Sequence, residues 1–116
     1  MEVQFTQYGD VDVASLPARL VMANAAATRK QIQQRVSDGG KLLVLDLGQV
    51  DFVDSSGLSV LVSALKAVRK VGGEVVLLNL TDGVRALIEL TRMHEVFEIF
   101  GDRDAAISRL AQQPVA

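Results

Sequence analysis

Cysteine is absent from these 116 residues, and the other scarce types are two prolines, one histidine and five aromatics, four Phe and one Tyr. Without cysteine there is no disulfide, no thiolate nucleophile and no thiolate metal site, which fits a reducing compartment. His94 and scattered carboxylates make no metal-ligand set, so no metal site is expected. The aromatics are too dispersed for a base-stacking platform. A formal charge of −2, with Lys and Arg spread along the chain, leaves no electrostatic footprint for nucleic acid. No apolar run approaches the ~20 residues of a membrane-spanning helix. The start, Met1-Glu2-Val3-Gln4-Phe5, lacks the basic segment and apolar core of a signal peptide. These absences predict a cytoplasmic protein with no membrane or nucleic-acid partner. The lack of a long apolar exposed stripe predicts a monomer.

What is present is enough apolar material, 49%, for one core, and the expectation is a single domain over residues 1–116 with a frayed tail from about 112. Val3, Phe5 and Gln7 alternate with Gln4, Thr6 and Tyr8, and Gly9-Asp10 turns into a second alternating stretch, so the chain opens with an antiparallel hairpin. Pro17 is expected to end the second strand or confine it to an edge, with Arg19-Leu20-Val21 able to resume pairing. Asn24 is expected to cap a helix running to about Ser37. Leu42 to Leu47 is uniformly apolar and reads as an interior parallel strand, as does Glu74 to Leu80. Between them, Leu58, Leu61, Val62, Leu65 and Val68 predict a helix from about Ser56 to Lys70. Thr81 or Asp82 then caps a third helix, Phe97 to Phe100 forms a short strand, and Gly101-Asp102 opens a last helix. The order predicts a mixed β-sheet of about four to five strands packed against about four α-helices.

The most informative segment is Asp51-Phe52-Val53-Asp54-Ser55-Ser56-Gly57-Leu58, which places two hydroxyls and a glycine between a buried strand and an amphipathic helix. Open α/β folds set their functional groups in this crevice. A serine there serves as a helix cap or as a site for chemistry. A hydrolase is not expected, because no Gly-x-Ser-x-Gly occurs and His94 is the sole histidine. A receiver-type phosphoacceptor at Asp46 is also disfavoured, since the chain begins with a hairpin and has no acidic pair after its first strand. No glycine-rich nucleotide loop occurs, so no cofactor is expected.

The stretch Leu43 to Leu58, followed by Gly72-Gly73-Glu74-Val75-Val76-Leu77 and by Val84 to Thr91 with Val96-Phe97, resembles the STAS-domain anti-sigma factor antagonists. The resemblance implies an α/β STAS fold and a regulatory binding protein rather than an enzyme. It implies that Ser55, directly after the aspartate, is phosphorylated by an anti-sigma factor that is also a serine kinase. The unphosphorylated antagonist would bind that anti-sigma factor and release sigma, and a PP2C-type phosphatase would restore it. Asp54, Ser56 and Gly57 would shape and cap the loop, and Leu58 and Ser59, with Met22 and Asn24 nearby, would meet the partner. The chain departs from the family pattern at Val21, where an aspartate expected to contact the kinase is replaced, at Ala18, and at Ser59, where a second glycine is usual. A STAS scaffold subunit of a transporter or stress-signalling assembly, and a small-nucleotide-binding STAS module, are the alternative expectations.

Overall fold

A computed structural model describes residues 3–112; the expected frayed tail, apart from Gln112, falls outside the described residues. The opening alternation forms β1 (Gln4–Tyr8), which turns at Gly9-Asp10 into β2 (Val11–Ser15), antiparallel from Gln4↔Ser15 to Tyr8↔Val11. The strand β2 stops before Pro17, yet it is interior: β4 (Leu42–Asp46) pairs with its other side in parallel. The proline lies beyond the last ladder position, so its missing N–H costs the sheet nothing; of the two expected outcomes the strand ends before Pro17, and it does not lie at an edge.

The strand β6 (Glu74–Leu78) pairs with β4, and β7 (Ile99–Phe100) with β6, both in parallel, giving one mixed five-stranded sheet in the order β1-β2-β4-β6-β7. Four α-helices connect and cover the strands: α1 (Met22–Ser37), α2 (Ser55–Lys70), α3 (Asp82–Leu90) and α4 (Arg103–Ala111). This is the expected fold class. The strands β4 and β6 are apolar except at Asp46 and Glu74 because both faces of the sheet are covered. Leu43, Leu45, Val75 and Leu77 join Ile32, Leu61 and Val68 in one core, while Leu42, Val44, Val76 and Leu78 join Ala106 and Leu110 in another. The last strand is shorter than Phe97 to Phe100 because a 3-10 turn at Met93–Glu95 takes the Phe97 N–H onto the Met93 carbonyl at 2.9 Å.

One feature of the topology was not expected and sets the functional site. The residues β3 (Arg19–Leu20) and β5 (Phe52–Val53) form a separate parallel pair, Arg19↔Phe52 and Leu20↔Val53. Arg19-Leu20 therefore does resume pairing, but outside the main sheet. Because β3 runs into α1 and β5 into α2, this pair brings the N-termini of the two helices together. The helices then continue side by side in one direction: Arg29 bonds Ser59 and Gln33 bonds Ser63, each 30 residues apart.

Candidate functional site

The start of α2 meets the β3–β5 pair at Gly57, the third residue of the helix. A Cβ built there would lie 2.1 Å from the Leu20 carbonyl oxygen and 2.9 Å from Val53 Cγ1. Only a residue without a side chain permits this contact. The Leu20 carbonyl also accepts the Asp54 N–H at 3.2 Å, tying the end of β3 to the residue before α2.

Asp54 is the N-cap of α2, and its two carboxylate oxygens serve two helices. Oδ1 accepts the Gly57 N–H at 2.9 Å, and Oδ2 accepts the Met22 N–H at 3.0 Å, the first amide of α1. A helix start leaves four N–H groups without intrahelical partners. Here a single side chain satisfies one in each of two helices. The Gly57 N–H lowers the Asp54 pKa most, desolvation opposes it, and the Met22 N–H lowers it further. Ser56 sits at the second helical position, so the helix begins one residue earlier than expected and the capping oxygen comes from Asp54, not from Ser56.

Asn24 is not the N-cap of α1 either. The helix starts at Met22, the N-cap is Val21, and Asn24 lies at the third helical position. Valine has no side-chain acceptor, so Asn24 reaches back instead: its Oδ1 accepts the Val21 N–H at 2.9 Å, and its amide donates to the Arg19 carbonyl at 2.7 Å. Asn24 and Asp54 together hold the start of α1 in place of a capping side chain at residue 21. No single-residue signal pointed to this, because Asp54 and Met22 are 32 positions apart.

Ser55 occupies the first position of α2, is exposed, and makes no side-chain hydrogen bond among the described residues. One turn later, Ser59 Oγ donates to the Ser56 carbonyl at 2.7 Å and accepts from Arg29 Nη2 at 2.9 Å. Leu58 is half-buried against the core. A shallow groove of ≈ 450 Å³ follows this face of α2, lined by Ser55, Leu58, Ser59, Val62, Lys66 and Met93. Beside it, Met22 is 74% exposed and the Arg19 guanidinium stacks 4.8 Å from the centre of the exposed Phe52 ring. Arg29 and the Arg19–Phe52 stack were not expected from sequence. The periodicity of α1 could have placed Arg29 beside α2 only with the register between the helices known. A larger concavity of ≈ 620 Å³ between β1 and α1, with Val3 and Phe5 at its base and Lys30 and Gln34 on its rim, shares none of these residues and offers no hydroxyl.

The sequence matches the STAS domain over residues 2–106. The chain belongs to the STAS-domain family. A STAS relative from Bordetella bronchiseptica, BtrV, named as an anti-sigma factor antagonist, is 34% identical over 94 residues, covering 81% of each chain. Among solved structures, a Thermotoga maritima protein named as an anti-sigma factor antagonist superposes with a TM-score of 0.88 at 23% identity, covering 95% of both chains. The Bacillus cell-fate determinant SpoIIAA in its phosphorylated form superposes with a TM-score of 0.73 at 19% identity, covering 92% of this chain and 97% of that one. These likenesses confirm a STAS fold. Among the described residues, no helix is long and apolar enough to cross a membrane, and no cluster of His, Cys, Asp and Glu could hold a metal ion.

The bridging carboxylate makes a direct prediction. In this STAS domain, Asp54→Ala removes caps from two helices at once, and a lost cap costs enough to lower Tm by roughly 5 °C each in a domain of this size. Amide exchange should therefore accelerate at both Met22 and Gly57; acceleration at Gly57 alone would refute the bridge. The pH dependence follows from the lowered Asp54 pKa. A carboxylate stronger as an acid in the folded state stabilises the fold above its unfolded pKa of about 3.9 and loses that contribution as pH falls through the folded value. The stability difference between wild type and Asp54→Ala should be full at neutral pH and shrink on acidification below about pH 4.

Proposed function

We propose that this STAS protein is an anti-sigma factor antagonist in a partner-switching pathway, and that Ser55 is its phosphorylated residue. The observation that carries the reading is the state of Ser55: an exposed hydroxyl, without an intramolecular partner among the described residues, on the first turn of α2 beside the Asp54 cap. Support comes from the names of relatives such as BtrV and from SpoIIAA, solved phosphorylated on the same fold. The chain acts by binding rather than by catalysis. Its unphosphorylated form binds an anti-sigma factor with serine kinase activity, through Leu58, Ser59, Met22 and Asn24 around the loop, and sigma is released.

The kinase transfers the γ-phosphoryl group of ATP to Ser55 Oγ, with ADP leaving and the hydroxyl proton lost. The phosphoserine carries about −1.5 to −2 charges, which the N–H groups and positive dipole end of α2 tolerate in the folded protein. A partner surface closing over Asp51, Asp54 and the new phosphate meets an excess of negative charge instead, at a cost of several kcal/mol. Binding is lost without refolding. Hydrolysis of the phosphoserine by a PP2C-type phosphatase returns the binding form, and the cycle runs in the cytoplasm on a monomeric antagonist.

Incubation with the candidate kinase and ATP, followed by intact-mass and peptide mass spectrometry, tests the assignment. One phosphoryl group per chain on the peptide containing Ser55, and none in Ser55→Ala, is the expected result. Phosphate confined to another residue would overturn it.

A further inference from the structure

A phosphate on Ser55 adds about two negative charges next to Asp54, and Arg29 of α1 stands one turn away to receive it. The helices α1 and α2 run in one direction with a constant offset, Arg29 to Ser59 and Gln33 to Ser63. At that offset the residue of α1 level with Ser55 is Ala25, whose small side chain is buried and leaves Ser55 open. Arg29 lies one turn further along α1. The rotamers that long helical side chains favour point toward the helix N-terminus, which is the direction from Arg29 to the end that carries Ser55. It already meets Ser59 Oγ at 2.9 Å. Ser55 and Ser59, four residues apart, share one face of α2 with their Cβ atoms roughly 6 Å apart, and both line the same groove.

The other cations near the loop are committed or distant. Arg19 is stacked on Phe52, and Arg92 pairs with Glu95 at 2.7 Å. Lys66 lies eleven residues beyond Ser55, roughly 16 Å along the helix axis, and Lys30 lines the concavity between α1 and β1. Arg29 itself has only the neutral Ser59 hydroxyl as its side-chain partner among the described residues. A guanidinium exchanges a neutral hydroxyl for a phosphate readily, because the phosphate accepts two parallel N–H bonds and adds the attraction of opposite charges, where the hydroxyl accepts one bond.

We infer that Arg29 is the phosphate-binding residue of the switch: when Ser55 is phosphorylated, its guanidinium leaves Ser59 Oγ and pairs with the phosphate, fixing the modified loop against α1. Ser59, where the family pattern has glycine, holds the guanidinium ready in the unmodified protein. The inference rests on Ser55 being the phosphorylated residue. It adds that the charge is held by the chain itself, so the phosphorylated form is an ordered state and not a loosened loop.

The test uses full-length protein with phosphoserine incorporated at position 55 during synthesis, so that no kinase is needed. Phosphorus-31 NMR follows the second ionisation of the phosphate. In Arg29→Gln this pKa should rise by about half a unit relative to wild type, the size of an exposed ion pair. Arg29→Lys should restore most of the shift, and Ser59→Ala, which frees the guanidinium, should leave the wild-type value. Equal titration curves for wild type and Arg29→Gln would overturn the inference, as would a Ser59→Ala rise as large as that of Arg29→Gln. Failure of the kinase to modify Ser55 would remove the switch assignment without touching this measurement, and equal curves would remove Arg29 without touching the kinase result.

Discussion

Replacing Ser55 by aspartate should weaken binding to the anti-sigma partner by roughly a hundredfold to a thousandfold, with Tm changing by no more than about 2 °C, while Ser55→Ala binds constitutively. The two halves of this expectation have different physical sources. Stability is insensitive because Ser55 is exposed and donates no side-chain hydrogen bond among the described residues, so its replacement removes no internal contact. A carboxylate on the first turn of a helix is favourable to the dipole. Affinity is sensitive because, in the function proposed above, the partner covers a loop that already holds Asp51 and Asp54. Closing a partner over one more negative charge in this acidic loop costs up to ~4 kcal/mol, and each 1.4 kcal/mol is tenfold in Kd. Titration calorimetry of the three proteins against the purified partner, with thermal melts in parallel, reads both quantities. Equal affinity for wild type and Ser55→Asp would place the switch elsewhere, and a large drop in Tm would show that the loop unfolds rather than repels.

The sheet was legible in the sequence where both of its faces are buried, because a strand covered twice needs an unbroken apolar run, as in Leu42 to Leu45 and Val75 to Leu78. The hairpin was legible from its alternation and its Gly9 turn. The β3–β5 pair was not, since two residues per strand carry no periodicity, and Leu20 and Val53 are buried for a reason that lies in another part of the chain. The same limit explains the site. The Asp-Ser-Ser-Gly run marked the place, and Gly57 stood out within it, but the work of the aspartate is divided between a local amide at Gly57 and a remote one at Met22. Asn24 reads as a cap because asparagine is a favoured N-cap type and stands just ahead of a helical pattern. Its true position is three residues into α1, where the Asp54 carboxylate accepts the first amide N–H of the helix in place of a local cap. Arg29 was invisible for a related reason: its meaning depends on the offset between two helices.

Gly57→Ala should be among the most damaging single-atom additions in this domain, although helix propensity alone favours it by about 1 kcal/mol. The added Cβ would lie 2.1 Å from the Leu20 carbonyl oxygen. That oxygen is backbone, held by the Asp54 N–H at 3.2 Å and by the pairing of Leu20 with Val53, so it cannot swing aside as a flexible side chain would. The helix must move instead, which breaks the Asp54 bridge and costs about 3 kcal/mol or more, or roughly 10 to 15 °C in Tm. Gly83, in the first turn of α3, is the matched control: nothing lies within 4 Å of its Cβ position and its φ is not positive. Gly83→Ala should be neutral or stabilise by up to about 1 kcal/mol. Opposite signs for the same substitution on two helices would isolate the contact at Leu20 from any general effect of alanine, whereas equal tolerance at both sites would mean that α2 does not sit against β3 as described. The displacement also has a functional signature. Because Ser55 rides on the turn that Gly57 allows to approach β3, Gly57→Ala should lose partner affinity at temperatures where it is still folded, with the Ser55 hydroxyl intact.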